Sequence, residues 1–286
     1  MKKLLSSIIV VMFALSIVSC GNLTKEQNSS NIPKHEQASP ATGEKTTILK
    51  GKDLKGAQLT AFDEQGRKLT FQIKDVELDP KDAQKETYLY TVFYQDTADS
   101  QWKNLCEPDA ENVAKAISLS GSWDDKGAHI DSKELFTFAC TNGALAKCDR
   151  LGYKPWKKVE GKSLRNYHQA CTRMVRADYC GNGNSHTRDG TQIDVYDVLG
   201  IQKPTPNDNM VFEAAWGPDG ATCINRPRWF ESLSDIRKEC PEKLKSRINV
   251  GGSCSTAEKA RQKWSDSLLF NDSLQRKPLN RGMTKM

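Results

Sequence analysis

The sequence predicts an α+β fold: an antiparallel, β-rich domain with several short helices, braced by disulfides. Three observations lead there. From Thr47 to about residue 105, apolar and polar residues alternate between glycine-bearing turns, the period of a half-buried sheet. The stretch "SLRNYHQACTRMVRA" carries apolar residues at three- and four-residue intervals, the period of one helix face. Finally, eight cysteines lie between Cys106 and Cys254, an even number suited to a disulfide framework.

Element by element, "TILKGKDLKGAQLTAFDEQGRKLTFQIKDVEL" sets Leu69, Phe71 and Ile73 on one face, with Thr70, Gln72 and Lys74 on the other. "TYLYTVFYQD" follows, rich in the aromatic and β-branched residues that strands favour. "ELFTFAC" reads as a strand and "TNGALAKCDRLGY" as a short helix. The clearest helix begins at Ser163, a candidate N-cap, and aligns Leu164, Tyr167, His168, Cys171, Met174 and Val175. Arg165, Arg173 and Arg176 fall largely on its other faces. Asp189-Gly190 is a strong turn signal of hairpin type, followed by an alternating strand through Ile193 and Val195. "MVFEAAW", the turn "GPDG" and "ATCIN" form a second hairpin. The C-terminal part reads as helical, with Pro241 suited to a first turn and Ser255-x-x-Glu258 matching a capping box. Beyond Asn271 the chain is expected to fray.

The N-terminus sets the compartment. Lys2 and Lys3 precede an uncharged run from Leu4 to Val18, shorter than the ~20 residues a membrane-crossing helix needs. The tetrapeptide Ile17-Val18-Ser19-Cys20 resembles the bacterial lipobox, which implies cleavage before Cys20 and a lipid on its thiol. Gly21 stands where an aspartate would argue for inner-membrane retention, so the outer membrane, facing the periplasm, is expected. Residues 1–19 are then the signal and 20–46 the lipidated cysteine and tether. "GNLTKEQNSSNIPKHEQASPATGEK" has no aromatic residue and cannot build a core. The domain is expected over 47–254, β-rich over 47–105 and cysteine-bearing over 106–254, with a basic helix and tail over 255–286.

The net charge of +6 is mild, but Asp235 to Met286 holds 12 Lys or Arg against 6 Asp or Glu. On a tethered protein, such a segment suits contact with anionic lipid or cell-wall polymer; no nucleic-acid partner is expected. The disulfide candidates are Cys106, Cys140, Cys148, Cys171, Cys180, Cys223, Cys240 and Cys254, with 105 possible pairings. The absence of Cys-x-x-Cys and His-x-x-x-His pairs argues against zinc. "NGNSHTRDGTQID" lacks the ligand ladder of an EF-hand, and a hairpin turn explains it. "GKS" at Gly161 to Ser163 lacks the first glycine of a phosphate-binding loop, which Trp156 replaces. Neither a metal nor a cofactor is expected.

"LFTFACTNGALAKCDRLGYKPW", "HQACTRMVRADYCGNGNSHTRDGTQIDVYD" and "AAWGPDGATC" together resemble the ADYC-domain family of exported bacterial proteins. The family takes its name from the tetrapeptide found here at Ala177, Asp178, Tyr179 and Cys180. The resemblance spans about Thr47 to Cys254 and implies a domain type, with no activity or catalytic residue attached to it.

Chemistry has few candidates. His168 lies three residues before Cys171, and His186 follows Cys180 by six, but a cysteine nucleophile needs a reduced thiol, and an oxidising compartment favours disulfides. The carboxylate pairs Asp178 with Asp189 and Asp194 with Asp197 could serve acid–base work across a sugar-sized cleft. Turn carboxylates also cap backbone amides, and Asp178 beside Arg173 and Arg176 reads as an ion pair locking a helix end. The reading is therefore a non-enzymatic, lipid-anchored binding or envelope-interaction module. Its competitor is a periplasmic hydrolase of envelope polymer using His168, Asp178, His186 or Asp194.

Overall fold

The computed structural model describes residues 51–62, 68–96, 99–133, 135–241 and 254–274. The signal, Cys20 and the tether lie outside the described residues.

The alternation seen in the sequence builds the first sheet. β1 (Gln58–Phe62), β2 (Lys68–Leu78), β3 (Tyr88–Asp96), β4 (Asp99–Asn104) and β5 (Ala116–Ser120) are antiparallel, and a short ribbon of β6 (Ser122–Trp123) and β7 (His129–Ile130) precedes β8 (Phe136–Cys140). The order is β1-β2-β3-β5-β8, with β4 also on β3. Leu69, Phe71 and Ile73 are buried as their spacing requires, each contributing roughly 1.5–3 kcal/mol of apolar burial. A bulge between Ile73 and Asp75 then inserts Lys74. One extra residue exchanges odd for even positions, so Val76 takes the buried face next. β3 is covered on both sides: Tyr90 and Val92 join the β2 core, while Leu89 joins Ile117, Leu119 and Ala139.

Helix α1 (Ala144–Arg150) leads to a small ribbon, β9 (Lys158–Val159) and β10 (Lys162–Ser163), and then to α2 (Arg165–Arg176). α2 is buried almost all round, from Tyr167 through Met174, because α1 covers one side and a second sheet the other. That sheet contains β11 (Ile193–Asp197), β12 (Met210–Gly217) and β13 (Gly220–Ile224). Two short helices, α3 (Leu233–Glu239) and α4 (Ala257–Lys263), precede its last strand, β14 (Leu269–Leu274). The antiparallel order is β11-β14-β12-β13, so the last of the described strands lies inside the sheet. The largest core gathers where this sheet meets α2, around Tyr153, Met174, Tyr179 and Trp216.

Several local expectations are corrected. The N-cap of α2 is Leu164, because Ser163 is held in β10; its hydroxyl still accepts from the Arg165 amide at 3.3 Å. The cap of α4 is Thr256, one residue past Ser255, and its hydroxyl accepts from the Lys259 amide at 3.2 Å. The chain does not fray at Asn271: residues expected to be tail form β14, paired on both edges. Asp189-Gly190 does form a turn, but it closes no hairpin among the described residues, since β11 pairs with β14. The helix expected after Pro241 runs into residues outside those described.

Four disulfides join Cys106 to Cys140, Cys148 to Cys171, Cys180 to Cys240 and Cys223 to Cys254. Such bridges persist in an oxidising extracellular or periplasmic compartment. Among the described residues, no helix is long and apolar enough to cross a membrane.

Candidate functional site

The Ala-Asp-Tyr-Cys stretch is the corner at which α2 ends. Ala177 sits in the left-handed region at φ 51° and ψ 40°, where a non-glycine residue is uncommon. Its amide donates to Met174 O and the Asp178 amide to Arg173 O, at 2.9 and 2.8 Å. That pair of bonds is a Schellman motif satisfying two of the orphan carbonyls at the helix end.

Asp178 is fully buried and surrounded by donors. Its carboxylate accepts from the amides of Gly181, Asn182 and Gly183 at 2.8, 3.1 and 2.9 Å, and from Arg173 Nη1 at 2.5 Å. Arg173, expected away from the apolar face of the helix, is buried. It also donates to Lys126 O and Pro218 O, tying the corner to the β6–β7 and β12–β13 turns. Gly181, at φ 71°, passes so close to the second turn that a Cβ there would collide with Asp219 O.

Tyr179 stacks on Trp216 with ring centroids 5.1 Å apart. Its hydroxyl donates to Glu213 Oε1 at 2.9 Å and accepts from the Arg228 amide at 2.7 Å. Arg228 grips Glu213 with two parallel bonds, Nε to Oε2 at 3.0 Å and Nη2 to Oε1 at 3.1 Å, and spends further donors on Met174 O, Val175 O and Thr187 Oγ1. Burial, with the Glu213 charge beside it, holds the Tyr179 hydroxyl well above the usual phenol range. It stays a neutral donor. Sequence reasoning missed Glu213 and Arg228. The one available signal was a carboxylate between apolar neighbours in "MVFEAAW", since buried charges require partners.

The other expected residues are dispersed. His168 is buried on the α2 face with Cys171, where Nε2 hydrogen-bonds Leu145 O at 3.1 Å. Burial holds its pKa down to about 4. Cys171 is bonded to Cys148 and Cys180 to Cys240. His186 Nε2 meets Glu239 Oε2 at 3.2 Å. Asp194 accepts from the Thr205 amide at 2.7 Å, while Asp197 holds the turn amides of Leu199 and Gln202 and the Tyr153 hydroxyl. Asp178, Asp194 and Asp197 share no hydrogen-bond partner. Among the described residues, no cluster of three or more His, Cys, Asp or Glu could hold a metal ion.

Beside the corner, a cleft of about 610 Å³ opens between α1 with its flanking loops and the 175–195 segment. Lys147 and Asn142 stand on the first wall, Arg176, Arg188 and Asp189 on the second, and Arg228 lies at their junction with the buried network.

A family model described as the ADYC domain matches residues 51–230, more than half of the chain. The chain belongs to the ADYC domain family. No curated protein and no solved structure matches it. The matched ADYC span ends before Cys240, Cys254 and β14. Two of the bridges thus reach beyond that span, and the inserted strand lies outside it.

Proposed function

We propose that this ADYC chain is a bacterial lipoprotein, anchored through lipidated Cys20 and held at the outer membrane facing the periplasm. Its domain is a non-enzymatic binding module of the cell envelope. A tether of this length spans roughly 25–30 Å, enough to set the domain just clear of the membrane surface.

One observation carries the binding reading over catalysis: both cysteines of the corner, Asp178 and His168 are committed to holding the fold. Cys171 and Cys180 are in disulfides. Asp178 is saturated by Arg173 and three amides, and His168 is buried against a backbone carbonyl. A general acid or base has to reach a substrate proton, and these side chains face inward. The neighbouring cleft offers cations and polar groups, which fix a ligand without transferring its protons.

The test has two parts. Labelled palmitate should enter the wild-type chain and be absent from Cys20→Ala, which should leave the membrane fraction. The wild-type chain should also co-sediment with envelope polymer while releasing no soluble fragments. Fragment release that is lost in a folded His186→Ala or Asp194→Asn variant would replace the binding module with the hydrolase.

A further inference from the structure

The cleft beside the ADYC corner carries positive charge that the fold does not use. Six cations line it, and three are neutralised where they stand. Lys81 pairs with Glu111, Arg150 with Asp79 and Asp109, and Arg228 with Glu213. The remaining three are Lys147, Arg176 and Arg188. Arg176 donates to Gly183 O at 2.5 Å, a carbonyl that leaves its charge uncompensated. Lys147 and Arg188 are exposed, with no carboxylate partner among the described residues. Arg188 is nevertheless held in place: its guanidinium lies 3.7 Å from the centroid of the Trp229 ring. Stacking orders the plane while leaving the edge N–H donors outward, the arrangement that suits bidentate recognition of an oxyanion. Against these three charges the cleft sets one carboxylate without a cation partner among the described residues, Asp189.

The charges come from separate elements, Lys147 on α1, Arg176 at the end of α2 and Arg188 on the segment after it. Amide and hydroxyl groups at Asn142 and Thr191 lie in the same cleft. Its volume falls within the ~300–1,000 Å³ of small-molecule sites.

We propose that this cleft is a binding site for a small polar molecule bearing at least two carboxylate or phosphate groups, gripped at one end by Lys147 and at the other by Arg188 and Arg176. The proposal deepens the binding-module reading by giving the ligand its chemical class.

Calorimetric titration of the mature chain tests it, with pyrophosphate and citrate as probes and maltose as the uncharged control in physiological chloride. Pyrophosphate or citrate binds and maltose does not; the stronger of the two identifies phosphate or carboxylate as the natural group. Lys147→Gln and Arg188→Gln each weaken binding about tenfold, with melting temperatures unchanged for Lys147→Gln at least, since its exposed side chain has no ion-pair partner among the described residues. Binding that is equal in wild type and the double variant, or wild-type heats that match maltose, overturns the site. Co-sedimentation with envelope polymer separates the two readings: a chain that sediments yet binds neither anion loses only this site, and one that binds the anions without sedimenting loses only the envelope role.

Discussion

The two sheets are built on opposite plans. In the first, strands pair mainly with their neighbours in sequence, and one bridge, Cys106–Cys140, ties β8 back to the segment after β4. In the second, β11 waits for β14, some 70 residues on, and three bridges surround the assembly. Cross-links are concentrated where pairing is least local, which is where loop-closure entropy opposes folding most. The two most deeply buried ion pairs, Arg173–Asp178 and Arg228–Glu213, both lie in the second half, while Arg150–Asp79 and Lys154–Asp82 join α1 and the segment after it to the β2–β3 turn of the first.

Removing β14 is the severest way to break this comparison. A chain stopped after Leu268 should lose the whole second sheet, a loss comparable to the ~5–15 kcal/mol of a typical domain. Protease digestion should then spare the first sheet and cut freely after about residue 150. Equal digestion of both halves would show that they fold as one unit.

Asp178→Asn strands the buried Arg173 charge, and about 3–5 kcal/mol should be lost, read by denaturant unfolding. Loss of envelope binding without loss of stability would instead make the corner a contact surface.

Next in size is the pH dependence at the seam between halves. The folded value of His168, about 4, lies below its ordinary 6.5. The unfolded chain therefore takes up a proton that the folded one refuses, and stability falls as pH drops from 6.5 to 4. Asp149 works in the other direction. Its burial pushes the carboxyl from 3.8 up to about 6, so stability falls as pH rises from 3.8 to 6. At roughly 1.4 kcal/mol per pH unit, each contributes about 3 kcal/mol in full. Between pH 4 and 6 they nearly cancel. His168→Gln should unmask Asp149, giving a melting temperature that rises as pH falls from 6 to 4; an unchanged profile would remove both groups from the account.

Ala177→Gly is the smallest effect. It relieves the left-handed backbone but frees the unfolded chain and removes a buried methyl, so the net change should stay within about 1 kcal/mol. Ala177→Val, branched at a position with positive φ, should cost clearly more.

What the sequence revealed follows the same division. β1, β2, β3 and β8 of the first sheet and the α2 face were legible, since period alone places Leu69, Phe71 and Ile73, or Leu164, Cys171 and Met174; the short β4 and β5 were not read. β14 was not, because "LFNDSL" breaks the apolar pattern. Its polar groups are satisfied by distant partners: Asn271 Oδ1 accepts from Trp216 Nε1 at 2.7 Å and Asp272 from the Tyr196 hydroxyl at 2.8 Å. At the corner, Asp178 could be read as an ion pair and cap from its neighbours, whereas Glu213 and Arg228 meet Tyr179 only through tertiary packing. The disulfide pairing, open in the sequence, required the same long-range geometry.

The place of β14 also imposes a timetable. A ribosome delivers the chain from the N-terminus. The first sheet has all its strands once residue 140 has emerged, but β11 and β12 have no strand between them until residue 274 arrives. For that interval the newborn chain exposes two unpaired strand edges, open to wrong neighbours. Late arrival of six residues thus prolongs the exposure of β11 and β12, and whatever shields them must stay in place until β14 has been delivered.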